Sequence, residues 1–150
     1  MKKKIKKSTE NEYNRFRKYF VFSCVDVVIL KNNSVLLTIR TQNPHKGSWH
    51  IPGGIIRKNE TMIQAVKRAA KNELNLNVKI KKYIGAYENL NAYRHDISHG
   101  FIVTIISGKI KTDFQTKELK FFKKIPKNII SHHKKMIRDV LINSKKFVHN

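Results

Sequence analysis

The stretch from Gly53 to Leu76, GGIIRKNETMIQAVKRAAKNELNL, brings together residue types that do chemistry at regular spacing. Gly54 is followed after five residues by Glu60, and after seven more by Arg68, with Glu73 and Leu76 closing the run. A carboxylate such as Glu73 is a hard oxygen donor suited to a divalent cation, and equally an ordinary exposed helix residue. Upstream, Arg40 sits in the strand-like run LLTIRT, where its residue type alone reads as a surface charge at a strand edge. Asp26 interrupts the apolar run YFVFSCVDVVIL. A carboxyl there is costly unless it is paired or faces a cleft.

These residues need elements to hold them. Tyr19–Leu30 reads as a buried strand and Val35–Thr41 as a second, joined by the turn at 31–34 into a hairpin. Pro52-Gly53-Gly54 breaks the chain before a helix. Thr61 and Gln64 have capping-box spacing, which makes Thr61 the N-cap. Ile63, Val66, Ala70 and Leu74 recur at helical spacing as its core stripe. Residues 78–88 and 98–107 read as further strands, and a short strand is expected near Leu119–Phe122. A short helix is expected over 9–18 and an amphipathic one over Ser131–Ser144, with Met136, Ile137, Val140 and Leu141 on its apolar side. Trp49 reads as packing, and the His132-His133 pair as a solvated helix start. The order predicts an α+β fold, a mixed sheet covered by helices. Residues 1–8 read as a flexible basic tail and 9–150 as a single domain.

The 150 residues carry a formal net charge of +22, from 32 Lys and Arg against 10 Asp and Glu. Such a field attracts phosphate-rich molecules and leaves nucleic acid a possible partner through the basic tail. The Lys-, Asn- and Ile-rich composition is also what an A/T-rich genome favours. No apolar run is long enough to span a bilayer, so no membrane partner is expected. Cys24 is the only cysteine, so an internal disulfide is impossible and a reducing cytoplasm fits best.

The spacing around Gly54, Glu60, Arg68 and Glu73 resembles the Nudix box, a loop–helix–loop metal site. Its pattern is Gly, five residues, Glu, seven residues, then Arg-Glu-apolar-any-Glu-Glu-any-Gly-apolar. The hairpin, the arginine strand, Gly47-x-Trp49 and Pro52-Gly53-Gly54 precede it in the order of that family. The resemblance implies the Nudix fold, with a mixed sheet sandwiched between helices. It also implies hydrolysis of a nucleoside diphosphate derivative with Mg²⁺ (Mn²⁺ possible), and a possible homodimer. Gly54, Glu60 and Arg68 would then be structural, with Glu60 pairing Arg68 to order the loop. Glu73 and Arg40 would be catalytic. Ala69, Asn72 and Asn75 depart from the pattern, where the family has Glu, Glu and Gly.

Those departures are similar to the GDP-mannose mannosyl hydrolase-like branch. There the metal ligands fall on Gly53, Glu73 and Gln115, with Asp26, Arg40 and Arg57 near the substrate. The most fitting substrate is then a nucleotide sugar, cut at its pyrophosphate or glycosyl bond. Two pieces of that branch's machinery are missing. Thr116 stands where it has a general-base His, and Ile55 where it has an Arg. Thr cannot act as a base near neutral pH, which leaves Glu88, His95, Asp96, His99 and Glu118 as candidates. An RNA-end or nucleotide pyrophosphohydrolase, and a non-catalytic nucleotide-binding protein, are the alternatives.

Overall fold

The computed structural model describes residues 3–91, 93–110 and 116–144, and of 116 and 117 the backbone alone. Elements run α1 (Glu10–Tyr19), β1 (Phe22–Val28), β2 (Leu30–Lys31), β3 (Ser34–Arg40), β4 (Trp49–His50), β5 (Gly53–Ile55), α2 (Met62–Leu74), β6 (Asn77–Leu90), β7 (His95–Ser107), β8 (Thr116–Phe122) and α3 (His133–Ile142). The α+β class and the layering expected from sequence are both observed. The strands form two four-stranded sheets. One has the order β5-β1-β7-β6, with β1 and β7 parallel and the outer pairs antiparallel. In the other, β3 bonds to β2, β4 and β8, all antiparallel.

The expected hairpin is mostly not there. β2 and β3 pair only at Leu30↔Val35 and Lys31↔Ser34, while β1 runs into the other sheet. The reason is competition for hydrogen bonds. The β1 backbone is taken up by β5 on one side and β7 on the other, and Val27 N donates to Pro52 O at 2.7 Å. Two adjacent apolar strands carry no local signal saying which sheet each joins.

Strand alternation sorts side chains into two cores. Val25 and Val27 of β1, Leu36 of β3, and Phe101 and Val103 of β7 pack with Val66, Ala69, Ala70 and Leu74 of α2. Val28, Val35, Leu37 and Ile102 point the other way, onto Met136, Ile137 and Val140 of α3. The sheets therefore lie between α2 and α3. α2 begins at Thr61 with a full capping box to Gln64, as its spacing predicts. It ends on Asn75 in the left-handed region at φ 58°, a conformation Asn tolerates better than most residues. Ile63 is 50% exposed, so it is not part of the stripe, and Ala65 and Ala69 take its place.

The N-terminal residues that read as a free tail are held in part. Lys6 N donates to Lys58 O at 3.4 Å, and Asn59 Nδ2 donates to Lys4 O at 3.0 Å. No helix among the described residues is long and apolar enough to cross a membrane.

The burial contrast gives a stability test. Leu36→Ala removes a fully buried side chain and should lower the unfolding free energy by about 2–5 kcal/mol. Ile63→Ala should change it by no more than about 0.5 kcal/mol. Urea titrations of both variants check this.

Candidate active site

β5 runs antiparallel to β1 so that Asp26 faces Gly53, and on its other side Asp26 faces Gly100 of β7. A Cβ on Gly53 would lie 2.2 Å from Val25 O and 2.5 Å from Asp26 Oδ1. Position 53 therefore admits no side chain, and the β5 peptide is laid open toward α2. From the last turn of α2, Glu73 reaches this strand and its Oε1 accepts the Gly53 N–H at 3.3 Å.

Below the junction the loop is braced by Glu60. Its Oε1 accepts from Arg68 Nε at 2.6 Å, and its Oε2 from Arg68 Nη2 at 2.9 Å and Arg57 N at 2.9 Å. Arg68 also donates to Ile55 O at 2.7 Å. Burial works against the Glu60 charge, but these donors hold its pKa below the usual carboxylate range. This fork fixes β5 to the start of α2.

A cleft of about 590 Å³ opens above β5, within the range of small-molecule sites. Of the residues singled out from sequence, Asp26, Arg40, Gly53, Gly54 and Glu73 line it. Arg40 is held by a bond from Nε to Pro44 O at 2.8 Å. Burial lowers its pKa and the Glu73 carboxylate raises it, but a guanidinium stays protonated regardless. Arg57 and Arg68 instead line a second groove that shares Gly53–Ile55 with the cleft. Gln115 lies outside the described residues.

Asp26 is buried. Its Oδ2 accepts the Ser98 hydroxyl at 2.5 Å and lies 3.7 Å from His133 Nε2. Burial, against the pull of Ser98, raises its pKa to about 7. The solvated helix start expected at His132-His133 is wrong for His133, which is 5% exposed. Ile51 N donates to His133 Nδ1 at 2.9 Å. That acceptor role leaves the proton of the neutral ring on Nε2, toward Asp26. His50 is oriented the opposite way, with Nδ1 donating to Thr38 O at 2.8 Å. Burial lowers His50 and His132 to about 4, and His133 well below its ordinary value. Three neutral imidazoles thus form one wall.

Sequence reasoning missed this wall and also Arg94. The guanidinium grips buried Asp96 at 2.6 Å and 2.8 Å and reaches the Tyr13 hydroxyl at 3.2 Å. Of the candidate bases only Asp96 lines the cleft, and Arg94 occupies it. His95 lies 3.3 Å from the exposed Glu88, and His99 bonds the Tyr83 hydroxyl at 2.9 Å, both away from the cleft lining. Glu118 lies on β8 and is exposed.

The donors that meet at β5 are the Glu73 carboxylate, the Asp26 carboxyl and bare peptide groups, all oxygen on the acceptor side. They suit one hard cation completed by water and phosphate oxygens. Among the described residues no three His, Cys, Asp or Glu side chains gather as a metal cluster.

Comparison with known proteins agrees with the family and the fold. The NUDIX domain family profile matches residues 22–140. The ADP-ribose pyrophosphatase of Methanocaldococcus jannaschii is 36% identical over 144 residues, covering 93% of this chain and 83% of that protein. The low-salt glycan biosynthesis protein Agl8 of Haloferax volcanii is 34% identical over 106 residues, covering 65% of this chain and 68% of its own. Among solved structures, a MutT NUDIX hydrolase from Burkholderia pseudomallei superposes with TM-score 0.74 at 19% identity, over 80% of this chain and 98% of that one. A UDP-X diphosphatase does so with TM-score 0.72 at 14% identity, over 96% and 74%. The chain belongs to the Nudix family and is a Nudix hydrolase.

The buried titratable groups set a pH dependence. His50, His132 and His133 bind protons in the unfolded chain that the native fold refuses, so their stability is full above pH ~6.5 and is lost on acidification. Asp26 has the opposite sign, because the native state takes its proton first as pH falls through about 7. Three against one leaves roughly two protons taken up on unfolding near pH ~5.5. Unfolding free energy should fall with that slope below pH ~6.5, and Asp26→Asn should steepen it to roughly three protons. Urea unfolding at a series of pH values reads both slopes. A flat wild-type profile would contradict the neutral histidine wall.

Proposed function

We propose that this protein hydrolyses the diphosphate linkage of a nucleoside diphosphate joined to a sugar, with ADP-ribose and nucleotide sugars as the substrate class. The observation that carries the reading is the convergence of Glu73, Arg40 and the bare Gly53–Gly54 strand on one cleft of small-molecule size. The name of the Methanocaldococcus jannaschii relative supports the same bond.

Nudix hydrolases generally use divalent metals. Here Glu73, the Gly53 carbonyl and Gln115 would hold Mg²⁺ or Mn²⁺, which when bound neutralises diphosphate charge and eases departure of the leaving phosphate. Arg40, fixed by Pro44, places a permanent cation against the diphosphate. Asp26 and the neutral imidazoles present hydrogen-bonding groups to the sugar or its hydroxyls. The Glu60–Arg68 fork keeps β5 and α2 in register so that Glu73 stays on Gly53.

Attack at phosphorus is favoured over attack at the sugar carbon. The mannosyl hydrolase-like branch, whose box departures this chain shares, relies on a His at the place of Thr116 and an Arg at that of Ile55. Neither replacement can do that work. Hydrolysis of ADP-ribose and nucleotide sugars in ¹⁸O water with Mg²⁺ should put the label on phosphate. Label on the sugar would move the reaction to the carbon. Glu73→Gln should lower kcat/KM by about 10²–10³ and Arg40→Ala by about 10–10², equivalent to losing charged contacts of a few kcal/mol. Melting temperatures should barely change. Full turnover in Glu73→Gln rules the site out.

A further inference from the structure

The N-terminal segment before β1 lies outside the residues that match the NUDIX domain. Its helix, α1, buries no side chain in either core. It is nonetheless well made. Thr9 and Glu12 form a complete capping box, with Glu12 Oε2 accepting Thr9 N–H at 2.8 Å. A helix held this carefully without a core to fill needs another reason for its position.

Its contacts supply one. At its start the segment is tied to the loop before α2, through the Lys6–Lys58 and Lys4–Asn59 bonds. Toward its end it is tied to the β6–β7 loop. Arg17 Nη1 donates to Tyr93 O at 3.2 Å and its guanidinium covers the Tyr93 ring at 4.4 Å, while Tyr13 meets Arg94. Tyr13 and Phe16 also rest on Phe22 at the head of β1. The β6–β7 loop lines the cleft through Asn91, Tyr93 and Arg94, and the loop before α2 lines the second groove through Arg57 and Lys58. Between them Lys7, Glu10 and Tyr13 line both the cleft and the second groove, as do Gly53, Gly54 and Glu73. The segment therefore crosses beside the β5–Glu73 junction as a strap pinned at both ends.

We infer that this strap is a wall of the substrate site, and that Lys7 binds the diphosphate of the substrate. The inference rests on the proposed diphosphate chemistry of the same cleft. Among the described residues Lys7 has no acidic partner at ion-pair distance, so its ammonium is available to an incoming anion. It adds a second cation to the cleft that Arg40 also lines. Tyr13, held by Arg94 on its hydroxyl and Phe22 on its ring, sets how far the strap stands from β5. The basic N-terminus then serves the small substrate.

Calorimetry with α,β-methylene-ADP and Mg²⁺, on the full chain at low salt, tests this. The methylene bridge cannot be cleaved, so binding is read without turnover. Lys7→Ala should weaken binding about five- to tenfold, and Lys7→Arg should restore most of it. Lys18→Ala, on the same helix but away from the cleft, should change it less than about twofold. With a cleaved substrate, Lys7→Ala should raise KM with kcat within about twofold. Tyr13→Ala should weaken binding as Lys7→Ala does. Equal affinity for wild type and Lys7→Ala, or equal losses in Lys7→Ala and Lys18→Ala, overturns the inference. If the wild type cleaves no nucleoside diphosphate at all, the proposed reaction fails, while the calorimetry still decides whether the strap binds a diphosphate.

Discussion

The structure depends on how closely β5 approaches β1. Gly53 sits where a Cβ would run into Val25 O and Asp26 Oδ1. That bare contact has two consequences. It brings the Asp26 carboxyl under the floor of the cleft, and it leaves the Gly53 N–H exposed to Glu73. α2 is held in place for this by its alanine-rich face, with Ala65, Ala69 and Ala70 buried. Small side chains let the helix lie close to the sheet. Ala69 stands where the family pattern has a glutamate, so the position that a fully equipped relative gives to charge is here given to packing.

Electrostatics follow from the same geometry. The chain as a whole is strongly basic, yet most ionisable groups in the innermost part of the cleft are neutral or matched. Asp26 is pushed toward its neutral form, three histidines are held neutral, and Asp96 is matched by Arg94. Glu73 and Arg40 remain, one of each sign. With so little fixed charge there, the proposed diphosphate would be held largely by a metal or by side chains of the rim. The strap and its Lys7 belong to that rim.

Much of this was readable from the residues. The Thr61–Gln64 capping box and the Glu60–Arg68 spacing are local features, and local rules find them. The convergence of Asp26, Arg40 and Glu73 came from a family resemblance that spans most of the chain. What escaped depends on contacts between distant segments. Nothing near β1 and β3 says that they enter different sheets, because both are apolar and compete for the same bonds. The rule that neighbouring helix residues do not face one another holds for His132 and His133. It says nothing about which of them is buried, and His133 is buried because the Ile51 N–H, 82 residues away in sequence, needs an acceptor. Arg94 was invisible because its value lies in Asp96 and Tyr13, one nearby and one at the far end of the chain. The basic N-terminus looked like a tail because its anchors are backbone groups and loops.

The proposed cation site at the meeting of Gly53 and Glu73 can be tested directly. Titration of the protein with Mn²⁺, followed by electron paramagnetic resonance, tests it without needing a substrate. The wild type should bind one Mn²⁺ weakly. Glu73→Gln should abolish that binding, and Gly53→Ala should do so as well, since its Cβ forces β5 away from β1. Circular dichroism of Glu73→Gln should match the wild type. If Glu73→Gln binds Mn²⁺ as tightly as the wild type, the cation lies elsewhere and the account of this site is wrong.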